Sequence, residues 1–316
     1  MVAWEAILEV IVAIVGFGVA AELTAKGTDN LEPLIGQGMT GGVILGLLGS
    51  LPETLFVVIA MLSSSYSIAL GSALGGNIIL FTLGIGIVGI VYSFKWKKPI
   101  VLKEDYRVEL YFLCASTAFL ALLLVYGSLD RISGAILFAL YFVYLGYRYA
   151  NAHRRIVFHI GNKDTRRLLL TGLAYITVGA LIVLLLAGVF VRTIGVLAGS
   201  IGVSALWLAL VVSPLAADFG DNISANRIAM KNTGGGSTAI ISFVGSKLQN
   251  NTMLLGLIGL LGVTAVSITG AQPEFIAVII VNLIAIAVMI REKLTTIEAT
   301  LLIITYFIMI VATFLI

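Results

Sequence analysis

Apolar runs of about twenty residues recur from one end of the chain to the other, separated by short polar connections. They predict spans near 4–25, 38–62, 67–93, 108–127, 132–150, 168–190, 201–226, 238–267, 273–290 and 295–315. Each can cross a hydrocarbon core of about 30 Å, which takes about 20 residues of helix. Helices are expected because a lone strand in lipid would leave its backbone N–H and C=O groups without partners. The fold class that follows is an all-α membrane protein with ten transmembrane helices. The first run begins at Trp4 with Glu5 and Glu9 and has no basic leading segment, so it reads as a retained span and not a cleaved signal.

Composition narrows the class. The 316 residues are 60% hydrophobic and 11% charged, against about 25% charged in soluble domains. No soluble domain of useful size remains once the spans are assigned. A net charge of +3 is too small to point to nucleic acid, and Cys114, the single cysteine, excludes an internal disulfide. The placement of the basic residues says more. Lys95, Lys97, Lys98, Lys103 and Arg107 follow span three, Arg148, Arg154, Arg155, Lys163, Arg166 and Arg167 surround the connection after span five, and Arg291 and Lys293 follow span nine. With Lys26, Arg227 and Lys231 they fall on one side, leaving Arg131 and Arg192 on the other, a split of 16 to 2 with Lys247 uncounted inside a span. The positive-inside rule makes the basic side cytoplasmic. Both termini are then outside, in a multi-pass plasma-membrane protein.

The halves also repeat. Residues 1–150 form a first five-helix repeat, 151–167 a basic cytoplasmic connector, and 168–316 a second five-helix repeat. Five is odd, so the second half is inverted relative to the first. Gly38-Met39-Thr40 resembles Gly202-Val203-Ser204, and Gly71-Ser72 leading to Asn77 resembles Gly245-Ser246 leading to Asn250-Asn251. Inverted repeats place a transporter's site near the midplane, between the halves.

Two spans carry acids beside prolines. Span two contains Gly49-Ser50-Leu51-Pro52-Glu53, and span seven contains Pro214-Leu215-Ala216-Ala217-Asp218-Phe219-Gly220-Asp221. Of five prolines, only Pro52 and Pro214 fall inside spans. Proline cannot donate to the carbonyl four residues back, so the carbonyls of Leu48 and Leu210 are expected to lose a donor next to a carboxylate. Carbonyl and carboxylate oxygens together suit a hard cation such as Ca2+, which takes six to eight of them. Glu53 and Asp218 would match one divalent ion. An ionised side chain at mid-membrane costs about 2.5–3.5 kcal/mol on insertion scales, a cost that a bound cation or proton offsets. The bland alternative is a protonated acid bonded between helices, or an ion pair with Lys247. Asp221 is either a further ligand or a solvated acid near the cytoplasmic end of its span.

Spans three and eight add neutral donors. Asn77 follows Gly75-Gly76, and Ser246, Gln249, Asn250 and Asn251 cluster in span eight. Such residues serve either as ligands or as helix-packing hydrogen bonders. Asn250-Asn251-Thr252 and Asn222-Ile223-Ser224 match the glycosylation triplet but fall at membrane depth, which excludes that role. Gly38, Gly42, Gly46, Gly49 and Ser50 form a small-residue stripe that would let another helix approach Glu53. Lys247 is either a fixed cation occupying an ion position and neutralising Asp218 or Asp221, or a residue whose long stem reaches water.

Gly49-Ser50-Leu51-Pro52-Glu53 resembles the Gly-Thr-Ser-x-Pro-Glu signature of the calcium/cation antiporter superfamily, one residue shorter between Gly and Pro-Glu. Gly75-Gly76-Asn77-Ile78 resembles its Gly-Ser-Asn-Ile stretch. The second repeat departs: Asp218 takes the acid's place without an adjacent proline, the stretch from Asp218 to Asn251 is nine residues longer than that from Glu53 to Asn77, and Lys247 has no counterpart. The resemblance implies a transporter, not an enzyme, that exchanges Ca2+ for Na+, or for H+, by alternating access, with spans one and six moving against the rest. It implies Glu53 and Asp218 as central ligands, with Ser50, Asn77, Asn250, Asn251, Asp221 and Ser246 around them and no permanently bound cofactor. A passive channel and an intramembrane aspartyl protease built on Asp218 and Asp221 are the remote rivals. The protease needs aspartates facing each other from different helices, and these lie three residues apart.

Overall fold

The computed structural model of the protein describes residues 3–35, 48, 50–103, 106–150 and 163–315. Gly38, Gly42, Gly46 and Gly49 of the small-residue stripe, and Arg154 and Arg155 of the connector, lie outside the described residues. The described chain is almost wholly helical: α1 (Ala3–Ile35), α2 (Leu51–Leu62), α3 (Tyr66–Ile79), α4 (Ile85–Trp96), α5 (Arg107–Tyr126), α6 (Arg131–Ala150), α7 (Lys163–Ile201), α8 (Ala205–Ala217), α9 (Phe219–Lys231), α10 (Gly235–Gln249), α11 (Leu255–Leu261), α12 (Gln272–Arg291) and α13 (Thr296–Leu315). Among the described residues, eight helical runs are long and apolar enough to cross a membrane.

The core is largely apolar but holds buried polar residues, and the outside is apolar as well. Asn77, Thr82, Lys247, Asn250, Asn251 and Asn282 are buried, while Leu8, Val125, Leu185 and Phe307 lie on the outside. An exposed apolar belt around a partly polar interior is what a bilayer would cover.

Three departures from regular spans position the site. Span seven is broken: α8 stops at Ala217 and α9 starts at Phe219, with Asp218 at the joint. Pro214 lies inside α8, where it cannot donate to the carbonyl four residues back. Spans three and eight are each interrupted by one π turn, at Leu80–Gly84 between α3 and α4 and at Asn250–Leu254 between α10 and α11. Such turns are rare and often mark functional places. The third residue of each turn is a threonine, and each donates its hydroxyl four residues back, Thr82 to Ile78 and Thr252 to Leu248.

Spans one and six are longer than the hydropathy pattern suggests. α1 has 33 residues and α7 has 39, so α7 is about 58 Å long at 1.5 Å per residue. α7 starts at Lys163 and takes in Arg166 and Arg167, which the sequence reading put in a connector. The two helices pack antiparallel, and glycines set their spacing: Gly27 lies on Gly172 and Ile176, and Gly179 lies on Ala20 and Thr24.

Lengths recur along the chain. α5, α6, α12 and α13 each have 20 residues. Among the described residues, four two-residue strands pair crosswise: β1 (Ile100–Val101) with β4 (Lys293–Leu294), and β2 (Ser128–Leu129) with β3 (Val266–Ser267). Gly86 and Gly89 of α4 meet Ala299 of α13, and Gly256 and Gly259 of α11 meet Gly134 of α6.

Candidate functional site

Each of the three acids picked out from the sequence sits at the start of a helix. Glu53 lies in the first turn of α2, Asp218 is the residue capping the start of α9, and Asp221 lies in its first turn. A helix N-terminus carries unsatisfied N–H groups and a positive partial charge that stabilise an anion. Proline explains the start of α2: Pro52 stands in the first turn, where a missing N–H costs nothing. The expected loss of a donor by the Leu48 carbonyl therefore does not arise from a proline in mid-helix. The Leu210 carbonyl, opposite Pro214, instead faces Gly75 of α3. Glycine at 71 and 75 lets α8 lie directly on α3, with the carbonyls of Leu206 and Leu210 against the two glycines.

Glu53 and Asp218 come together from opposite halves of the chain. Both are buried. A Cβ placed on Gly76 would stand 2.9 Å from Glu53 Oε1, 3.2 Å from Asp218 Oδ2 and 2.5 Å from Asn250 Nδ2. Gly76 is thus the space into which the two acids project. Asn250 donates its amide to Glu53 Oε1 at 3.1 Å.

Among the described residues, several buried oxygens around this point have no hydrogen-bond partner: Asp218 Oδ2, Asn77 Oδ1 and Asn250 Oδ1. Asn77 spends its amide donor on the Ala73 carbonyl at 3.0 Å, so its carbonyl oxygen is left over. Buried acceptors without donors are costly, and a proton, a water or a cation would each supply what these oxygens lack. Among the described residues no group of three His, Cys, Asp or Glu side chains stands close enough to hold a metal ion. A cation here would therefore draw on the two acids and on amide and carbonyl oxygens together.

The remaining candidates form a periphery. Asp221 Oδ2 accepts the Ser246 hydroxyl at 3.0 Å, and Asp221 is only partly buried. Ser50 Oγ accepts from Gln249 Nε2, and Gln249 Oε1 accepts from Tyr141 at 3.1 Å. Asn251 is fully buried with both side-chain polar atoms unpartnered.

Lys247 neither reaches water nor touches an acid. It is fully buried, so its stem does not reach water. Among the described residues no carboxylate lies within ion-pair distance of it, so it does not neutralise Asp218 or Asp221 by contact. Its ammonium donates to the backbone carbonyl of Asn77 at 2.6 Å and lies 6.0 Å from the Phe81 ring centre.

Sequence reasoning missed the glycine pair as a spacer, and it missed Thr54 and Tyr141, which extend the Gln249 network. The signal for the spacer was present, since Gly75-Gly76 directly precedes a buried asparagine inside an apolar span.

Comparison with known proteins bears on the fold and the family. The crystal structure of the H+/Ca2+ exchanger CAX superposes with a TM-score of 0.79 at 17% identity, covering 98% of this chain and 86% of the other. The sodium-calcium exchanger NCX_Mj soaked with 10 mM Na+ and zero Ca2+ superposes with a TM-score of 0.67 at 16% identity, covering 98% and 99%. The same exchanger soaked with 100 mM Na+ and 10 mM Sr2+ gives 0.67 at 18% identity and the same coverage. At these identities the likeness is one of fold. No curated protein sequence matches the chain. The profile of the family described as sodium/calcium exchanger protein matches residues 5–150 and again 171–315, one match in each half, so the chain belongs to the sodium/calcium exchanger protein family.

Proposed function

We propose that the chain is a secondary antiporter that exports Ca2+ in exchange for Na+, binding both at Glu53 and Asp218 by turns. The observation that carries this is the convergence of those two acids at Gly76 beside unpartnered oxygens of Asp218, Asn77 and Asn250. Two carboxylates offset one divalent ion or two monovalent ions, but not both sets at once. Competition for one pair of charges makes exchange obligatory, because the empty site would leave two buried anions uncompensated.

The reading includes an architecture of ten spans in two inverted five-helix repeats, with both termini outside the plasma membrane. Crosswise strand pairing, the recurring 20-residue helices and the paired π turns support a two-fold relation of the halves. In this reading Asp221 and Ser246 form the cytoplasmic approach to the site. On the outer side, Phe17 of α1, Phe190 of α7 and Phe56 of α2 meet edge to face, with ring centres 5.2–6.0 Å apart. They line a small cavity with Pro52, Ser213 and Ala217. Because α1 and α7 pack as one antiparallel pair, sliding that pair would separate Phe17 and Phe190 from Phe56 and open the outer path.

H+ in place of Na+ is the second reading. A proton offsets a buried carboxylate as well as a metal ion does, and the solved proteins of this fold include both an H+/Ca2+ and a sodium-calcium exchanger. Purified protein in proteoliposomes separates the two. Ca2+ uptake against its own gradient should follow an outward Na+ gradient at constant pH. Uptake that follows only a pH gradient would assign H+, and equal uptake with neither gradient would make the protein a channel. An aspartyl protease finds no support, since Asp221 bonds Ser246 and not Asp218.

A further inference from the structure

Lys247 stands where its surroundings call for a mobile ion. It lies three residues before the π turn at Asn250–Leu254, and Asn77 lies three residues before the π turn at Leu80–Gly84. The threonine bonds inside the two turns fix the same register, Thr82 to Ile78 and Thr252 to Leu248. The glycines beyond them agree, since Gly86 and Gly89 in one run match Gly256 and Gly259 in the other. Lys247 is thus the positional twin of Asn77, and the two twins touch, Lys247 Nζ donating to the Asn77 carbonyl at 2.6 Å.

The twin position is a cation position by its chemistry. Asn77 follows Gly76, whose face carries Glu53 and Asp218. Asn250, one helical turn after Lys247 and on the same face, bonds Glu53 directly. A backbone carbonyl inside a membrane protein, next to acids, is how such proteins coordinate monovalent cations. The Lys247 ammonium takes that carbonyl, and it does so fully buried and without a carboxylate in contact. A buried lysine kept for packing alone would be expected to meet an acid, because an unpaired buried charge is costly. Glu109 and Arg148 in this chain meet in that way.

We propose that the Lys247 ammonium is a resident cation that fills one monovalent-ion position beside the Glu53–Asp218 site, so that each cycle moves one Na+ fewer than the site could otherwise hold. The inference rests on the antiport reading for its consequence in transport, but the occupancy itself is testable without transport. Shortening Lys247 to the residue of its twin, Lys247→Asn, vacates the position and supplies an amide oxygen.

The first measurement is radioactive Na+ bound per chain by equilibrium dialysis of purified protein, with choline chloride holding ionic strength constant. Lys247→Asn should bind one Na+ more per chain than the unsubstituted protein. The second is the Ca2+ gradient that proteoliposomes hold at equilibrium against a tenfold Na+ gradient with the voltage clamped at zero. One more coupled Na+ makes that gradient about tenfold steeper by mass action. If the unsubstituted protein shows no antiport while Lys247→Asn still gains a bound Na+, the antiport reading falls and the resident cation stands. Unchanged Na+ binding in both Lys247→Asn and Lys247→Gln overturns the resident cation, whatever the flux. Neutral variants that fold only when Na+ is present support it. Neutral variants that fail to fold even in high NaCl overturn it, because the ammonium would then be irreplaceable packing and not a stand-in for an ion.

Discussion

Glu109 and Asp218 are equally buried, each 2% exposed, yet the protein finishes them in opposite ways. Glu109 on α5 accepts from Arg148 Nε at 2.6 Å, again from Arg148 Nη2, and from the Tyr144 hydroxyl at 2.9 Å. Its charge is balanced and its oxygens are supplied by α6. Among the described residues, Asp218 has an oxygen with no donor, and its neighbour Glu53 receives an amide from Asn250. Burial of an acid is thus a poor marker of a transport site. The donor shell separates the two: the complete shell of Glu109 ties two helices together, and the incomplete one of Asp218 leaves an oxygen open to whatever the proposed site takes up.

The sharpest way to break this comparison is to neutralise one acid of each kind. Glu53→Gln keeps the size and the hydrogen-bonding capacity toward Asn250 but removes half the charge that faces a divalent ion. Ca2+ flux should fall at least about a hundredfold, equivalent to about 2.7 kcal/mol, while the thermal midpoint of the purified protein stays within a few degrees. Near-normal flux in this variant would remove Glu53 from the site and the comparison with it.

Arg148→Met should behave in the opposite sense. It leaves Glu109 buried without its cation, and a broken buried pair of this kind costs about 3–5 kcal/mol. The loss should appear in the unfolding midpoint, with the apparent Ca2+ affinity of the surviving folded protein unchanged. Adding Glu109→Gln should recover part of the stability, because no unpaired charge then remains. A variant whose stability is untouched but whose Ca2+ affinity drops would show that the Glu109 cluster is part of the ion path and not a clamp.

How much of this contrast was visible beforehand depends on the range of the forces involved. An acid within four residues of a proline inside an apolar run is a local pattern, and it marks Glu53 and Asp218 in the sequence alone. The span positions were equally local, although the overhangs of α1 and α7 were not, because they come from packing of one long helix on the other through Gly27, Gly172 and Gly179. Nothing local shows that the donor shell of Glu109 is filled, since that depends on whether Arg148, 39 residues away, arrives. The register of the second half was likewise hidden. Matching Asn77 to Asn250-Asn251 leaves an excess of nine residues after Asp218 in the sequence. The π turns match Asn77 to Lys247 instead, and α11, at 7 residues against 12 in α4, gives back what the stretch before it gains. A π turn has no sequence signature strong enough to announce that shift.

A third acid extends the comparison to the surface, with the smallest expected effect. Asp130 precedes α6, and its Oδ1 accepts the Ser133 backbone N–H at 2.8 Å and the Ser133 hydroxyl at 2.7 Å, while the Asp130 N–H donates back to Ser133 Oγ at 2.9 Å. This reciprocal cap satisfies helix-start donors. The Ser133 backbone N–H first, and its hydroxyl second, hold the Asp130 carboxyl below the usual carboxylate range. A carboxylate whose folded value is depressed adds stability that is present above its unfolded value, about 3.9, and that fades as pH falls through the lower folded value. Asp130→Asn removes the charge and keeps an acceptor, so its unfolding midpoint should lie slightly below that of the unsubstituted protein at pH 7, with the gap closing below about pH 4. Ca2+ flux should not change, because a carboxylate satisfied by its own helix start has nothing to offer an ion. A gap that persists unchanged at pH 3, or a flux that falls with this substitution, would mean that a filled donor shell does not separate structural acids from transporting ones in this chain.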